Sequence, residues 1–112
     1  MPNFFHIDDL FRQRAAQGKL YFEFLRVPAM SAGVYVLPKC GTDPQRPHRE
    51  DEMYYVVRGR ARFQTGSNHV EARPGSVIFV EAALEHRFYD IQEELEVLVF
   101  FAPAEQESVT ED

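Results

Sequence analysis

The pattern of apolar and polar positions changes at Gly18. Before it, a short segment runs through Leu10, Phe11 and Ala15, and its flanks predict a helix capped by Asp8 and ended by Gly18. After Gly18, apolar and polar residues alternate with a period of two, which is typical of β-strands. The pattern therefore predicts one short N-terminal helix followed by a chain built of strands.

Runs of β-branched and aromatic residues predict seven short strands after the helix. They cover residues 20–27, 33–37, 53–57, 61–64, 77–80, 87–89 and 95–101. Turn-forming residues separate these runs, and Gly59 and Asp90 are predicted to be two of the turns. Arg58, Arg60 and Arg62 flank the first of them as a solvated face. Short strands at such spacing predict an all-β fold, an antiparallel sandwich or a small barrel.

Two of the predicted strands are apolar on both faces. In residues 95–101, Leu98 and Phe100 continue the apolar character on the face opposite to Leu95, and residues 20–27 behave in the same way. A strand with one face in water would alternate more regularly. Either the helix or a second subunit must cover the additional face. Because a short helix covers little of a sheet, we expect a homodimer.

Length and composition are those of one globular domain. The chain has 112 residues, of which 45% are hydrophobic and 27% charged, so a single domain spanning 1–112 is expected and disorder is excluded. In this domain, residues 1–18 form the helical lead-in. No apolar run is long enough to cross a membrane, and the first residues lack the basic start of a signal peptide. We expect a cytoplasmic protein with no membrane partner.

Charge and cysteine content narrow the partners further. Acidic residues outnumber basic ones by 18 to 12, and four of the acidic residues lie in 103–112, which we expect to be a flexible acidic tail. The rest of the chain is close to neutral, so it lacks the basic field of a nucleic-acid-binding protein. The single Cys40 cannot form an internal disulfide, which is typical of a reducing compartment, and we expect it to be a small buried residue.

His48, Glu52 and His86 are the candidates for chemistry. Two imidazoles and a carboxylate suit zinc, iron, manganese or nickel and leave positions open for a substrate. On a straight strand, His48 and Glu52 would stand about 13 Å apart, so the strand must break between them. The charged residues 49–51 are the expected break, with Glu50 in solvent. The alternative is that the three residues are polar groups at a barrel mouth that bind nothing.

The spacing of these residues resembles the two motifs of the cupin superfamily. His48-x3-Glu52-x6-Gly59 matches the second half of the first motif, and Gly75, His86 and Asp90 follow the order of the second. The resemblance spans residues 41–90. It implies a jelly-roll β-barrel in which His48, Glu52 and His86 hold a divalent metal ion, either iron, manganese, nickel or zinc.

The chain also departs from the family pattern. Arg46 stands where the first motif has a histidine, and because Pro47 keeps it extended, it should share a face with His48. A guanidinium there can recognise an anionic group of a substrate, or it can pair with a glutamate and displace the metal. Tyr54 and Phe88 are further candidates for substrate contact, although aromatic residues in strands are usually core.

Three functions remain open at this stage. The first is a metal-dependent enzyme of the oxygenase or isomerase type that acts on a small polar molecule with an anionic group. The second is a non-catalytic module that binds or senses a small molecule in the same cavity. The third is a metal-free barrel in which Arg46 supplies the positive charge. The fold does not decide among them, because the cupin barrel hosts many functions.

Overall fold

The computed structural model describes residues 3–106, which form one helix and six strands. Helix α1 spans Ile7–Gln17. The strands are β1 (Tyr21–Val27), β2 (Met30–Leu37), β3 (Asp51–Thr65), β4 (Asn68–Ala72), β5 (Val77–Val80) and β6 (His86–Ala102). The predicted all-β fold with a short N-terminal helix is confirmed.

The boundaries of helix α1 agree with the prediction at one end only. Gly18 ends the helix in the left-handed conformation, with φ of 71°, and its N–H donates to the carbonyls of Arg14 and Ala15. The predicted cap is wrong, because the residue before the helix is His6, in an extended conformation. Asp8 lies within the first turn, where a negative charge interacts favourably with the helix dipole.

The strands form one antiparallel sheet that folds over a single core as a jelly roll. Their order is β1-β2-β6-β3-β4, and β5 pairs with the first half of β3. Within residues 3–106 the backbone ladder does not close, and β1 and β4 are the ends of that order. The largest fully buried side chains of the core are Tyr35, Tyr54, Phe63, Phe88 and Phe101.

Two predicted turns are wrong, and their residues lie inside long strands instead. Gly59 belongs to β3 and Asp90 to β6, at positions where the ladder between these strands shifts register. Gly59 has φ of +98°, and a Cβ on it would lie 2.1 Å from the carbonyl oxygen of Glu94. The backbones therefore touch at a β-bulge, which bends both strands without reversing them. Four predicted strands thus merge into two, while β4, which carries the exposed His69, was not predicted.

Helix α1 covers part of the outer surface of the sheet. Leu10 and Phe11 pack on the outward side chains of β1, β2, β3 and β6, namely Phe22, Phe24, Val34, Val36, Val57 and Leu98. The helix therefore covers much of the second apolar face that motivated the expected homodimer. Val27 on β1 and Val70 on β4 remain exposed. A further group of exposed residues lies on β3 and β5, beside the half-buried Phe100 of β6. We call this group the apolar outer face: Met53, Tyr55, Val77, Phe79 and Phe100.

Across residues 3–106, no helix has the length and apolar character needed to cross a lipid bilayer.

Candidate metal centre

The loop between β2 and β3 is fastened to the core by Asp43. The Tyr35 hydroxyl donates to Oδ1 of Asp43 at 2.6 Å, and the Phe88 N–H donates to Oδ2 at 2.9 Å. The Gln45 amide also donates to Oδ2, and its own oxygen accepts a 2.7 Å hydrogen bond from the Tyr54 hydroxyl. These bonds fix the course of a loop without regular secondary structure, and His48 lies near its end.

The curvature of the sheet brings Glu52 and His86 together. Glu52 pairs with Phe101 near the start of β3, whereas His86 pairs with Thr65 at the other end of β3. Along a straight strand these positions would be separated by about 43 Å. Their side chains nevertheless meet, with Oε1 of Glu52 lying 3.1 Å from Nε2 of His86. The bend at Gly59 is therefore a requirement of the site.

The structure brings His48, Glu52 and His86 into one cluster. One ligand atom from each residue lies within 4.8 Å of the others. Nε2 of His48 is 3.9 Å from Oε1 of Glu52, and His48 lies outside β3, as the expected break of the strand requires. An ion with bonds of about 2.1 Å holds neighbouring ligand atoms roughly 3–3.5 Å apart, so shifts of about 1 Å would suffice.

All three side chains are buried, and the atoms facing the centre of the cluster lack hydrogen bonds. His48, Glu52 and His86 are 6%, 2% and 7% exposed. Within the described part of the chain, Nε2 of each histidine and both oxygens of Glu52 have no hydrogen-bond partner. Buried polar atoms, and carboxylates above all, are costly when unpaired. Two imidazole nitrogens and a carboxylate are the donor set that transition metals prefer, so the residues present fit a metal ion.

The two histidines differ in their electrostatic environment. Burial lowers the pKa of His48 more than the nearby Glu52 raises it, so this ring favours the neutral form. Burial also acts downward on the pKa of His86, but the adjacent Glu52 carboxylate outweighs it and raises that pKa above its ordinary value. A metal ion would have to displace any proton that His86 shares with Glu52.

Two glutamates near the cluster were missed or misjudged from the sequence. Glu50 was expected in solvent, but it is 4% exposed and its carboxylate accepts a 3.1 Å hydrogen bond from the Gln106 N–H. Glu105 was assigned to a flexible tail, but it is 2% exposed, and its Oε2 lies 3.5 Å from Nδ1 of His48. Burial, reinforced by the charges of Glu52 and Glu50, raises the pKa of Glu105 to about 8.

The sequence carries no signal that would have separated Glu105 from the acidic residues after it. Of the expected tail, residues 103–106 are described, and there Ala104 as well as Glu105 is buried. The remainder, 107–112, lies outside the described residues.

The three expected substrate contacts lie in two different places. Arg46 is exposed and lines a cavity of about 320 Å³ beside the cluster, which we call the mouth cavity. Other residues around this cavity are Asp43, Gln45, Gln64, His86 and Arg87. Tyr54 and Phe88 are at most 1% exposed and pack on each other with ring centroids 5.0 Å apart. These two residues therefore belong to the core beneath the site.

The expectation of a buried Cys40 is wrong. Cys40 is exposed in the turn after β2, and its φ of 62° places it in the left-handed region. Its N–H donates to the Ile91 carbonyl at 2.9 Å, so the backbone is anchored while the thiol faces solvent.

Comparison with known proteins identifies the family. The family model described as Cupin domain matches residues 33–101, which is more than half of the chain. This chain belongs to the cupin family. The protein SCO3923 of Streptomyces coelicolor is similar to this cupin, with 45% identity over 101 residues, which cover 90% of this chain and 96% of the relative.

Solved structures show the same fold. BH2720 of Bacillus halodurans superimposes with a TM-score of 0.81 at 17% identity, covering 98% of this chain and 87% of that one. The cupin domain of Cnp3 from Schizosaccharomyces pombe superimposes with a TM-score of 0.68 at 14% identity. This second match covers 74% of this chain, which spans only 59% of the Cnp3 chain. At these identities the likeness concerns the fold.

Proposed function

We propose that this cupin binds a divalent metal ion through His48, Glu52 and His86. The observation that carries the proposal is the set of buried atoms that face one another without hydrogen bonds: two imidazole nitrogens and both oxygens of Glu52. A metal ion would satisfy all of them together. Iron, manganese, nickel and zinc all accept this donor set.

We further propose that the mouth cavity receives a small polar molecule with an anionic group. The cavity is of the size usual for small ligands, and it borders the cluster through His86. Arg46 lies on its wall, and a guanidinium recognises carboxylate or phosphate groups through two parallel hydrogen bonds. When bound, a metal held by His48, Glu52 and His86 would supply Lewis acidity or an oxygen-activating centre.

Two functions use this arrangement, and one measurement separates them. An oxygenase or isomerase would convert the small molecule, whereas a binding or sensing module would release it unchanged. The metal-loaded protein is incubated with a panel of small carboxylates and phosphorylated compounds. Mass spectrometry of these compounds then distinguishes turnover from binding. Protein with Glu52→Gln is the control, because any metal-dependent conversion should stop in it.

Metal binding itself is tested by calorimetry on protein stripped with a chelator. Zn²⁺, Mn²⁺, Fe²⁺ and Ni²⁺ should be compared, with one ion bound per chain as the expected result. His86→Ala and Glu52→Gln should each weaken binding at least 100-fold, because each removes one of three ligands. His69→Ala is the matched control, since His69 is an exposed histidine on β4. Absence of binding by wild type, or equal loss in the control, would contradict the proposal.

We also propose that a second copy of this chain covers the apolar outer face. Cross-strand neighbours arrange it in two rows, in which Met53 lies between Phe79 and Phe100 and Tyr55 lies beside Val77. Phe79 and Val77 are 58% and 63% exposed. An exposed apolar patch marks an interaction surface, and most homodimers bring the same patch of two copies together across a two-fold axis.

Light scattering at micromolar concentration tests the dimer. Wild type should give a particle of twice the 13.0 kDa chain, and Phe79→Asp should give a single chain because it places a charge in the interface. Val70→Asp is the control, since Val70 is an exposed valine on β4 away from this surface. A 13.0 kDa particle for wild type would contradict the proposal.

We propose the cytoplasm as the location of the protein. An exposed, unpaired thiol at Cys40 favours a reducing compartment. Fractionation of cells that produce the tagged protein tests this location. Recovery of the protein outside the cytosolic fraction would contradict the proposal.

A further inference from the structure

The segment after β6 turns back into the fold and is held there by hydrogen bonds. The Glu105 N–H donates to Oγ of the fully buried Ser31 at 2.9 Å, and its carbonyl accepts a 2.6 Å bond from Arg26. The next residue, Gln106, donates its N–H to Glu50. Three contacts from three different parts of the chain thus fix the position of Glu105.

The carboxylate delivered by this segment lies beside a residue of the metal cluster. Oε2 of Glu105 is buried, has no hydrogen-bond partner within residues 3–106, and lies 3.5 Å from Nδ1 of His48. The other ring nitrogen of His48 faces Glu52. Glu105 is not in the group whose ligand atoms lie within 4.8 Å of one another, so its place is behind the histidine.

The second histidine of the cluster has a comparable support of its own. Nδ1 of His86 lies 2.9 Å from the Leu84 carbonyl oxygen, which can only accept a hydrogen bond, so Nδ1 of this ring carries a proton and Nε2 faces Glu52. A histidine that ligates through one nitrogen usually donates from the other to such an acceptor. For His48, which lies on a loop, the Glu105 side chain lies in the corresponding position, with Oε2 3.5 Å from Nδ1.

We infer that Glu105 is a positioning residue, which accepts the Nδ1–H of His48 and thereby directs Nε2 of that ring toward the metal. The inference rests on the proposed metal site and adds to its three ligands one residue that supports a ligand. Glu105 itself does not touch the ion. Its effect passes through the tautomer and the orientation of His48.

The tautomer of His48 in metal-free protein is the first readout. Long-range proton–nitrogen NMR of 15N-labelled protein, recorded at about pH 9 so that Glu105 is ionised, should show His48 with its proton on Nδ1. Glu105→Gln should keep this state, because the amide oxygen still accepts a hydrogen bond. Glu105→Ala should shift the ring to a mixture of tautomers. An unchanged spectrum of His48 in Glu105→Ala would overturn the inference, whatever the protein does with metals.

The affinity for Zn²⁺ measured by calorimetry is the second readout. Loss of such a supporting carboxylate typically weakens metal binding about 10–100-fold, which is the expectation for Glu105→Ala. Glu105→Gln should lose less, and Glu94→Gln, which removes an exposed charge from β6, should match wild type. An affinity in Glu105→Ala equal to that of wild type would overturn the inference. A loss in Glu105→Gln as great as in Glu105→Ala would do the same, because charge alone would then explain the effect.

The two readouts separate this inference from the proposed function. If His86→Ala abolishes Zn²⁺ binding while Glu105→Ala changes neither readout, the metal site stands and the role of Glu105 falls. If wild type binds no metal but Glu105 controls the His48 tautomer, the positioning role stands and the proposed function falls. Glu105→Gln keeps the size of the side chain, so it remains informative if the alanine variant does not fold.

Discussion

Removing the Asp43 carboxylate should destabilise the fold. It should also change the effect of Tyr35→Phe on the free energy of unfolding from a loss of stability to no change or a gain. Asp43→Ala leaves the buried Tyr35 hydroxyl and the Phe88 N–H without their acceptor. An unsatisfied buried donor costs about 1–3 kcal/mol, so the two together cost roughly 2–6 kcal/mol. Asp43 is half-buried, and water entering the gap should bring the loss to about 2–4 kcal/mol.

Tyr35→Phe probes the same interaction from its other side. In the wild-type background it removes a short hydrogen bond to a charged group, which should cost about 1.5–3 kcal/mol. In the Asp43→Ala background the hydroxyl is already unpaired, so removing it should be neutral or stabilising by about 1 kcal/mol. The coupling energy of the pair should therefore be about 1.5–4 kcal/mol.

Urea unfolding at one fixed protein concentration measures this cycle. The concentration must be constant because a dimer gains stability with concentration. The chain has no tryptophan and five tyrosines, so circular dichroism and tyrosine fluorescence are the probes for wild type, both single variants and the double variant. If Tyr35→Phe costs the same in both backgrounds, within about 0.5 kcal/mol, the hydroxyl does not bond to Asp43 and the reasoning is refuted.

Two further predictions concern the backbone and the cysteine. Gly59→Ala should cost more than about 3 kcal/mol or prevent folding, because its Cβ would lie 2.1 Å from the Glu94 carbonyl oxygen at a φ of +98°. Gly75→Ala, with φ of +94° but no atom within 4 Å of its Cβ, should cost only about 1–2 kcal/mol, and equal midpoints of urea unfolding for the two variants would contradict the close approach. Cys40 should react fully with a thiol reagent in native protein, since it is exposed. Reaction only after denaturation would contradict the structure.

The period-two pattern predicted the class of fold, because the alternation of apolar and polar residues reflects only which side chains are buried. Alternation in residues 53–57 and 61–64 does place every second side chain inside. The same pattern is silent on whether the strand turns or bends at Gly59, since a glycine at positive φ serves a hairpin and a β-bulge equally well. The choice depends on the Glu94 backbone across the ladder, which local sequence does not contain.

The residues of the candidate site also fall into those that local sequence predicts and those whose placement depends on distant contacts. His48, Glu52 and His86 were proposed together because ligand types and motif spacing are visible in the sequence, and the structure does bring them together. Glu50 and Glu105 were misjudged because charged residues within acidic runs are normally solvated. Their burial follows from contacts that the segment after β6 makes with β2 and the loop before β3, between residues far apart in sequence.

Arg46 offers a prediction that links the departure from the family motif to metal affinity. It occupies the position of the first motif histidine and lines the mouth cavity together with His86. Arg46→His would therefore place a third imidazole near the cluster, as a fourth ligand, and remove a positive charge, and Zn²⁺ should bind about tenfold more tightly or better. Arg46→Gln removes the charge without adding a ligand, so it separates the two contributions.

Calorimetry with Zn²⁺ should rank the affinities as Arg46→His above Arg46→Gln above wild type. Affinity for an anionic ligand should fall in both variants, because each lacks the guanidinium. If Arg46→His binds Zn²⁺ no better than Arg46→Gln, position 46 does not reach the metal, and the chain keeps a three-residue site for a reason other than this arginine.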